Sequence, residues 1–282
     1  MGNIKIYKLK EKFMKKYVAI ALILTLACNK NSNQHSMIVP DVIQAENRRG
    51  NIIGSVRLFD QNDNPLTNGS GLTVTIAQTN VSTVTNELGK WKLDSIPFGT
   101  YDLIFTKSGY GPSKIMGLYH AASSHATTNV SGNRYLSMIS DLQINNFLAR
   151  KTSQVFNITS LLALGLTEDG IIFYPGFKNT SNKEKAVRLF FSSNPDVSST
   201  NYMATEKQFY SGNILTNEND NFKTSWFVSR GFEPGQTVYV RAYGDARYTD
   251  DFEDPISGLT VFPCLSPNSS AVISFVVPTG VK

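Results

Sequence analysis

Apolar, β-branched and aromatic residues recur along this chain in short runs separated by turn-forming residues at intervals of about ten. The first set comprises Gly54 to Phe59, Leu72 to Ala77, Val81 to Thr85, Trp91 to Leu93, Tyr101 to Thr106, Ile115 to Tyr119 and Tyr135 to Ile139. Between them lie Asp60-Gln-Asn-Asp-Asn-Pro65, Asn86-Glu-Leu-Gly89, Pro97-Phe-Gly99 and Ser108-Gly109, all turn chemistry. No helical period competes, so the pattern predicts a β-sandwich rather than βαβ units. A polar stretch, Arg150 to Val155, then reads as a hinge. Runs resume at Phe156 to Leu164, Gly170 to Phe177, Ala186 to Ser192, Phe222 to Ser229, Thr237 to Tyr243, Gly258 to Phe262 and Ala271 to Val277. Val238, Val240 and Ala242 alternate with Tyr239, Arg241 and Tyr243, so both faces are largely apolar or aromatic, as in a central strand. The expected fold class is all-β, two tandem β-sandwiches over residues 47–146 and 150–282.

The start of the chain follows another rule. Lys5, Lys8, Lys10, Lys12, Lys15 and Lys16, against the single acid Glu11, precede the uncharged run Tyr17 to Ala27. As a helix that 11-residue run would rise about 16 Å, too little for a hydrocarbon core of about 30 Å. Residues 1–27 therefore read as a signal peptide. Leu24-Thr-Leu-Ala-Cys28 resembles a bacterial lipobox, with Thr25 where that motif usually has Leu. The resemblance implies a diacylglycerol on Cys28, membrane lipid as a partner, and an address at the bacterial outer membrane or cell surface. Residues 28–46, rich in Asn, Ser and Gln, suit a flexible tether. The only other cysteine is Cys264, so a lipidated Cys28 leaves no disulfide. Myristoylation at Gly2 fails because Ile6 stands where Ser or Thr is required.

Charge changes the picture once the leader is set aside. The formal charge of +5 is concentrated there, and residues 28–282 carry 21 basic and 21 acidic side chains. A basic isoelectric point is thus no argument for nucleic acid. With 41% apolar and 17% charged residues, the composition is globular.

Gly54-x-Val56, Asp60, Asn64-Pro65-Leu66, Val74, Thr85-Asn86, Gly89-Lys-Trp91-x-Leu93, Ile96-Pro97-x-Gly99-x-Tyr101-x-Leu103 and Gly109-Tyr110 fall in an order that resembles the carboxypeptidase regulatory-like domain, a transthyretin-like sandwich. In exported bacterial proteins that family implies a spacer or receptor-end module without chemistry of its own. The residues make sense unaided: Gly89 supplies a tight turn, and Tyr101, Leu103 and Phe105 alternate inward. Phe232-Glu-Pro-Gly-Gln-Thr-Val-Tyr-Val-Arg-Ala-Tyr243 resembles the late strand pair of a fibronectin type III or related immunoglobulin-like domain. Val238 occupies the place of that family's corner tyrosine, and Tyr239 follows it; a one-residue shift turns a strand side chain to the opposite face.

Chemistry is sparse. There is no Gly-x-Ser-x-Gly elbow, P-loop or Gly-x-Gly-x-x-Gly opening a helix, and Cys264 reads as a packed thiol. His35 lies in the tether, and His120 and His125, without zinc-peptidase spacing, read as surface residues. Asp245, Asp250, Asp251, Glu253 and Asp254 form an acidic loop with Arg247 inside it. Its default reading is a solvated inter-strand loop, with a calcium site as the cofactor alternative. Asn217 to Asn221 reads as a polar turn. Tyr202, Tyr210, Trp226, Tyr243 and Tyr248 are candidate stacking platforms for sugar rings, with Trp226, Tyr243 and Tyr248 foremost, and Trp226 and Phe227 are expected in a strand with one facing the core. Asp94-Ser95-Ile96 resembles an O-glycosylation acceptor used by Bacteroidetes. The expectation is a non-catalytic, membrane-anchored binding or structural module, its partner a polysaccharide or an outer-membrane protein. The alternative is a hydrolase using two carboxylates of the 245–254 loop.

Overall fold

A computed structural model describes residues 48–121, 126–155, 167–177, 183–211, 214–215 and 222–280. The leader, Cys28, the tether, His35, His125, the run Phe156 to Leu164 and the turn Asn217 to Asn221 lie outside them.

The first sandwich has seven strands, one for each expected run: β1 (Arg49–Phe59), β2 (Thr73–Ile76), β3 (Ser82–Val84), β4 (Lys90–Pro97), β5 (Gly99–Thr106), β6 (Ser113–His120) and β7 (Thr127–Ser137). They form two sheets, β4-β1-β7 and β3-β2-β5-β6, with β1 and β7 parallel and the other pairs antiparallel. β4 shows how sequence dictates this layer. Trp91, Leu93 and Ile96 are buried while Lys90, Lys92, Asp94 and Ser95 face water. The inward residues join Ile52, Val56, Leu72, Val74, Leu103 and Phe105 in one core. Alternation of this kind fixes register, because a one-residue slip would expose the whole apolar set.

The second sandwich begins earlier than the sequence pattern suggests. Leu142 and Ile144 already belong to its core. β8 (Ile144–Val155) runs unbroken through the expected hinge at Arg150 to Val155, paired along its length with β9 (Thr167–Phe177). The expected hinge is instead the end of an edge strand. β10 (Lys185–Ser192), β11 (Ala204–Ser211), β12 (Ile214–Leu215), β13 (Phe222–Lys223), β14 (Thr237–Asp245), β15 (Phe252–Glu253), β16 (Thr260–Val261) and β17 (Ile273–Val276) follow. The sheets are β12-β11-β10-β14-β17 and β13-β9-β8, with a small β15-β16 hairpin.

The run Phe222 to Ser229, expected as a strand, is two strand residues followed by a single-turn helix, α1 (Thr224–Ser229). Tertiary context overrides local preference there. Phe227 is fully buried, and Thr224 Oγ1 donates to the carbonyls of Asp169 and Pro278. The core is aromatic: Phe173 has Phe147, Phe191, Phe222 and Phe275 within 5.1 to 5.7 Å, ring centroid to centroid.

Residues 247–260 are largely solvated, as expected of an inter-strand loop, but residues 261–272 are not, with Phe262, Cys264, Ser266 and Ser270 buried. Residues 246–272 fold back across the outer face of the five-stranded sheet, where Phe262 joins Phe190 and Val197 in a second small core, with Tyr202, Tyr239 and Tyr243 against it. Arg188, Phe190 and Ser192 therefore lie buried on the face of β10 opposite Val187, Leu189 and Phe191.

Candidate functional site

The acidic loop is the densest group of candidate residues, and three of its five carboxylates, those of Asp245, Asp250 and Asp251, are paired with cations of this chain. Asp245, at the end of β14, is 3% exposed. Arg188 Nε donates to its Oδ2 at 2.8 Å, and Lys207 Nζ lies 3.3 Å from the same oxygen. Asp251 Oδ2 is 3.5 Å from Arg188 Nη2, so the two carboxylates converge on a guanidinium. That guanidinium lies flat over Phe262, 3.8 Å from its centroid. Lys207 Nζ also donates to the carbonyls of Ala246 and Arg247 and to Thr249 Oγ1.

Burial governs the protonation of this group. It raises the Asp251 carboxyl above its ordinary value, with the Thr249 hydroxyl and the Arg188 and Lys207 charges pulling the other way. It likewise lowers the Lys207 ammonium, which Asp245 partly restores. Perturbed carboxyls mark active sites and structural ion-pair networks alike. Here Arg188 is paired with both Asp245 and Asp251, and Lys207 with Asp245. Among the described residues no group of three or more His, Cys, Asp or Glu side chains is arranged to hold a metal ion.

The remaining acids go elsewhere. Asp250 reaches the first sandwich: Arg134 Nη1, on β7, donates to its Oδ2 at 2.9 Å and Oδ1 at 3.2 Å, and Ser113 Oγ, on β6, also donates to it. Glu253 is exposed on β15. Asp254 caps its own turn, accepting from the Ser257 hydroxyl and N–H, which hold it below the ordinary carboxylate value.

Asp250 is one tie of a larger junction. Arg247 N–H donates to Gln61 O, Asp141 N–H to Gln61 Oε1, Lys185 Nζ to Asn62 Oδ1, and Ser140 N–H to Cys264 O. Tyr248 stacks its edge on Tyr135 at 5.5 Å and sits 6.3 Å from Phe59, so it belongs to this seam. Cys264 is buried in it, 3.4 Å from Ser137 O, and burial pushes its thiol up to about 12 with the Asp245 charge adding to the effect. The backbones approach so closely that a Cβ on Gly111 would stand 2.6 Å from Cys264 Sγ.

The three foremost aromatic candidates do not converge. Trp226 lies half-buried on α1 against Phe191, Phe222 and Phe227, with Arg230 over its ring at 5.1 Å. Tyr243 packs edge-on to Phe190 beneath the 246–272 segment, and Tyr248 is at the junction. Tyr210 is fully buried, and Tyr202 packs on Phe190 and donates to Thr260 O. His120, expected at the surface, is fully buried. Its Nδ1 pairs with Thr128 Oγ1 at 2.7 Å and its Nε2 with Ile96 O at 3.3 Å, so burial leaves neither ring nitrogen unsatisfied. Ser95 is exposed, at a positive φ of 53°, in the bulge that interrupts the ladder of β4 with β1 between the pairs Ile52↔Leu93 and Gly50↔Ile96.

Sequence reasoning named the acids and missed their partners. Arg188 had a signal, a lone cation inside the apolar run Ala186-Val-Arg-Leu-Phe-Phe191. Arg134 and Lys207 had none, because nothing local tells a solvated cation from one that bridges strands far apart in sequence.

No family model matches the chain, and no curated protein does. Among solved structures it is similar to a type II cohesin–X-dockerin complex mutant from Acetivibrio cellulolyticus, at 21% identity over 31% of this chain and 56% of that one, with a TM-score of 0.26. It is also similar to a protein from Bacteroides uniformis provisionally described as carbohydrate binding, at 14% identity over 80% of this chain and 98% of that one, TM-score 0.23. A DUF3823 family protein from Parabacteroides merdae matches at 12% identity over 80% of this chain and 98% of that one, TM-score 0.21. TM-scores this low give these likenesses no weight as argument, and the fold stands on its own strands and sheets.

Proposed function

We propose that this chain is a non-catalytic lipoprotein of the bacterial outer membrane or cell surface: a lipid on Cys28, a tether over residues 28–46, and two coupled sandwiches that bind a polysaccharide or an outer-membrane protein. The first sandwich is read as carboxypeptidase regulatory-like and the second as fibronectin type III-like. The observation that carries this reading is the disposition of the 245–254 acids. Arg134, Arg188 and Lys207 tie Asp250, Asp251 and Asp245 into the fold and across the junction, which suits a body that holds its shape under load rather than a site that moves protons. The ions are hydrogen-bonded as well as paired, the condition under which buried charge is tolerated.

Mass spectrometry of the protein purified from native membranes, with protease shaving of intact cells, tests the anchor: a diacylglyceryl Cys28 and loss on shaving are expected. Retarded migration of the protein through native gels cast with polysaccharide tests the binding. Hydrolysis of a polysaccharide abolished by Asp251→Ala would instead restore the hydrolase reading.

A further inference from the structure

A cavity of about 420 Å³ opens on the flank of the first sandwich, where edge strand β6 of one sheet meets edge strand β7 of the other. Two irregularities create it. Between the pairs Leu103↔Ile115 and Tyr101↔Leu118, β6 carries one residue more than β5, with Gly117 at φ 64°. Between Ile53↔Asn129 and Ser55↔Asn133, β7 carries two more than β1, with Gly132 at φ 82°. Each bulge turns side chains that a regular strand would send elsewhere toward the gap between the sheets.

The lining has two halves. Ile115, Leu118 and Val130 form an apolar side continuous with the core. Asn129, Ser131 and Asn133 form a polar side, with Asn129 and Ser131 exposed at the rim. Ser55 Oγ donates to Asn133 Oδ1 at 2.6 Å, which uses that carbonyl and leaves the amide NH₂ to donate elsewhere. The one charged residue in the wall, Arg134, has its Nη1 on Asp250 and its Nη2 on the carbonyl of Lys114.

From this arrangement we infer that the cavity binds one neutral sugar unit of mono- or disaccharide size. The volume lies at the small end of the range for ligand pockets, about 300–1,000 Å³. A pyranose offers an apolar C–H face for the aliphatic side and hydroxyls for amides that can both donate and accept. A neutralised guanidinium leaves no net charge for an anion. The bulges also exclude an added peptide strand, since they interrupt the regular ladder of N–H and C=O groups that strand addition requires. The inference deepens the polysaccharide-binding reading above by giving it a place. It puts the contact on the first sandwich, away from the aromatic residues of the second.

The test uses the full chain with labelled Ile, Leu and Val methyl groups, titrated by NMR with cellobiose, maltose and mannobiose, and with digalacturonate as the charged control. At least one neutral disaccharide is expected to shift the Ile115, Leu118 and Val130 methyl signals, and digalacturonate to leave them in place. Ser131→Trp, which plugs an exposed rim position, should weaken that binding tenfold or more with Tm unchanged, and Asn129→Ala should weaken it less. Unmoved methyl signals with every neutral sugar, or shifts with digalacturonate alone, would overturn the assignment. If the polysaccharide gel shift survives Ser131→Trp undiminished, the cavity is wrong and the binding-module reading stands. If the wild-type chain gives neither response, both fall.

Discussion

β4 and β10 are both eight-residue strands, and they meet water in opposite ways. In β4 the buried Trp91, Leu93 and Ile96 are interspersed with the solvated Lys90, Lys92, Asp94 and Ser95; in β10 all but Lys185 are buried, on both faces. β4 is the edge strand of its sheet, and its outer face is open. β10 lies beneath residues 246–272, which supply an outer layer of their own. The difference teaches that a connection between two strands can serve as a third layer, and that charge beneath such a layer must be internally paired. Arg188 is that charge, and of its partners Asp245 lies just before the stretch that passes over it and Asp251 within it.

The largest expected effect is in the inner layer of the second sandwich. Phe173 is fully buried among four aromatic rings, so Phe173→Ala should cost about 3–5 kcal/mol in urea denaturation. Close behind stands the outer layer. Arg188→Ala leaves buried Asp245 with the longer Lys207 contact and the Ala246 N–H, so the loss should stay at or below about 3–5 kcal/mol, the range typical of a buried ion stripped of its partner. The solvated counterpart on β4 sharpens the contrast. Lys92 and Asp94 pair at 2.6 Å with both side chains more than half exposed, and Lys92→Ala should cost no more than about 1 kcal/mol. Equal losses for Arg188→Ala and Lys92→Ala would mean that the 246–272 segment does not exclude water.

The junction is the next test. A side chain at Gly111 must displace Cys264 and Pro263, an overpacking worth about 1–3 kcal/mol. Gly111→Val should split the unfolding of the paired sandwiches into two calorimetric transitions where the wild type shows one. The same seam protects its thiol. With Cys264 held at about 12, a disulfide reagent at pH 8 should react at the rate of unfolding, and Gly111→Val should speed it. Fast labelling of the folded wild type would break the picture of a closed seam.

These two regions were unequally legible in sequence. Each strand of the first sandwich overlaps a run visible in the sequence, most clearly where alternation marks one wet face as in β2 and β4, but β7 was seen only at its end, from Tyr135, because Thr127 to Arg134 is polar and irregular. In the second, β8 was mistaken for a hinge because an edge strand with polar side chains carries no alternation. β11 was passed over because Thr205-Glu-Lys-Gln208 is polar on both faces, Thr205 and Lys207 sharing the face of Phe190 and Arg188 while Glu206 and Gln208 share that of Val187 and Leu189. Asp245 to Asp254 could be identified as a cluster but not as a set of ion pairs, since Arg134, Arg188 and Lys207 arrive from three separate strands. The cavity between β6 and β7 was invisible, because register shifts arise from pairing between strands.

The smallest effect separates the two ends of the acidic loop by sign. Burial raises Asp251 in the folded chain, so its proton is held more tightly there than in the unfolded chain. The stability that proton contributes is present below the ordinary value of 3.8 and is lost as pH rises through the folded value above it. Asp254, exposed and bonded by Ser257, is lowered; its contribution is present above 3.8 and is lost as pH falls through the folded value below it. Across about pH 3 to 5, where carboxylates titrate, the stability of wild type minus Asp251→Asn should therefore fall as pH rises. That of wild type minus Asp254→Asn should fall as pH drops. Urea midpoints at several pH values measure both. Slopes of the same sign would mean that Asp251 is as solvated as Asp254 and that the 246–272 segment is an open loop after all.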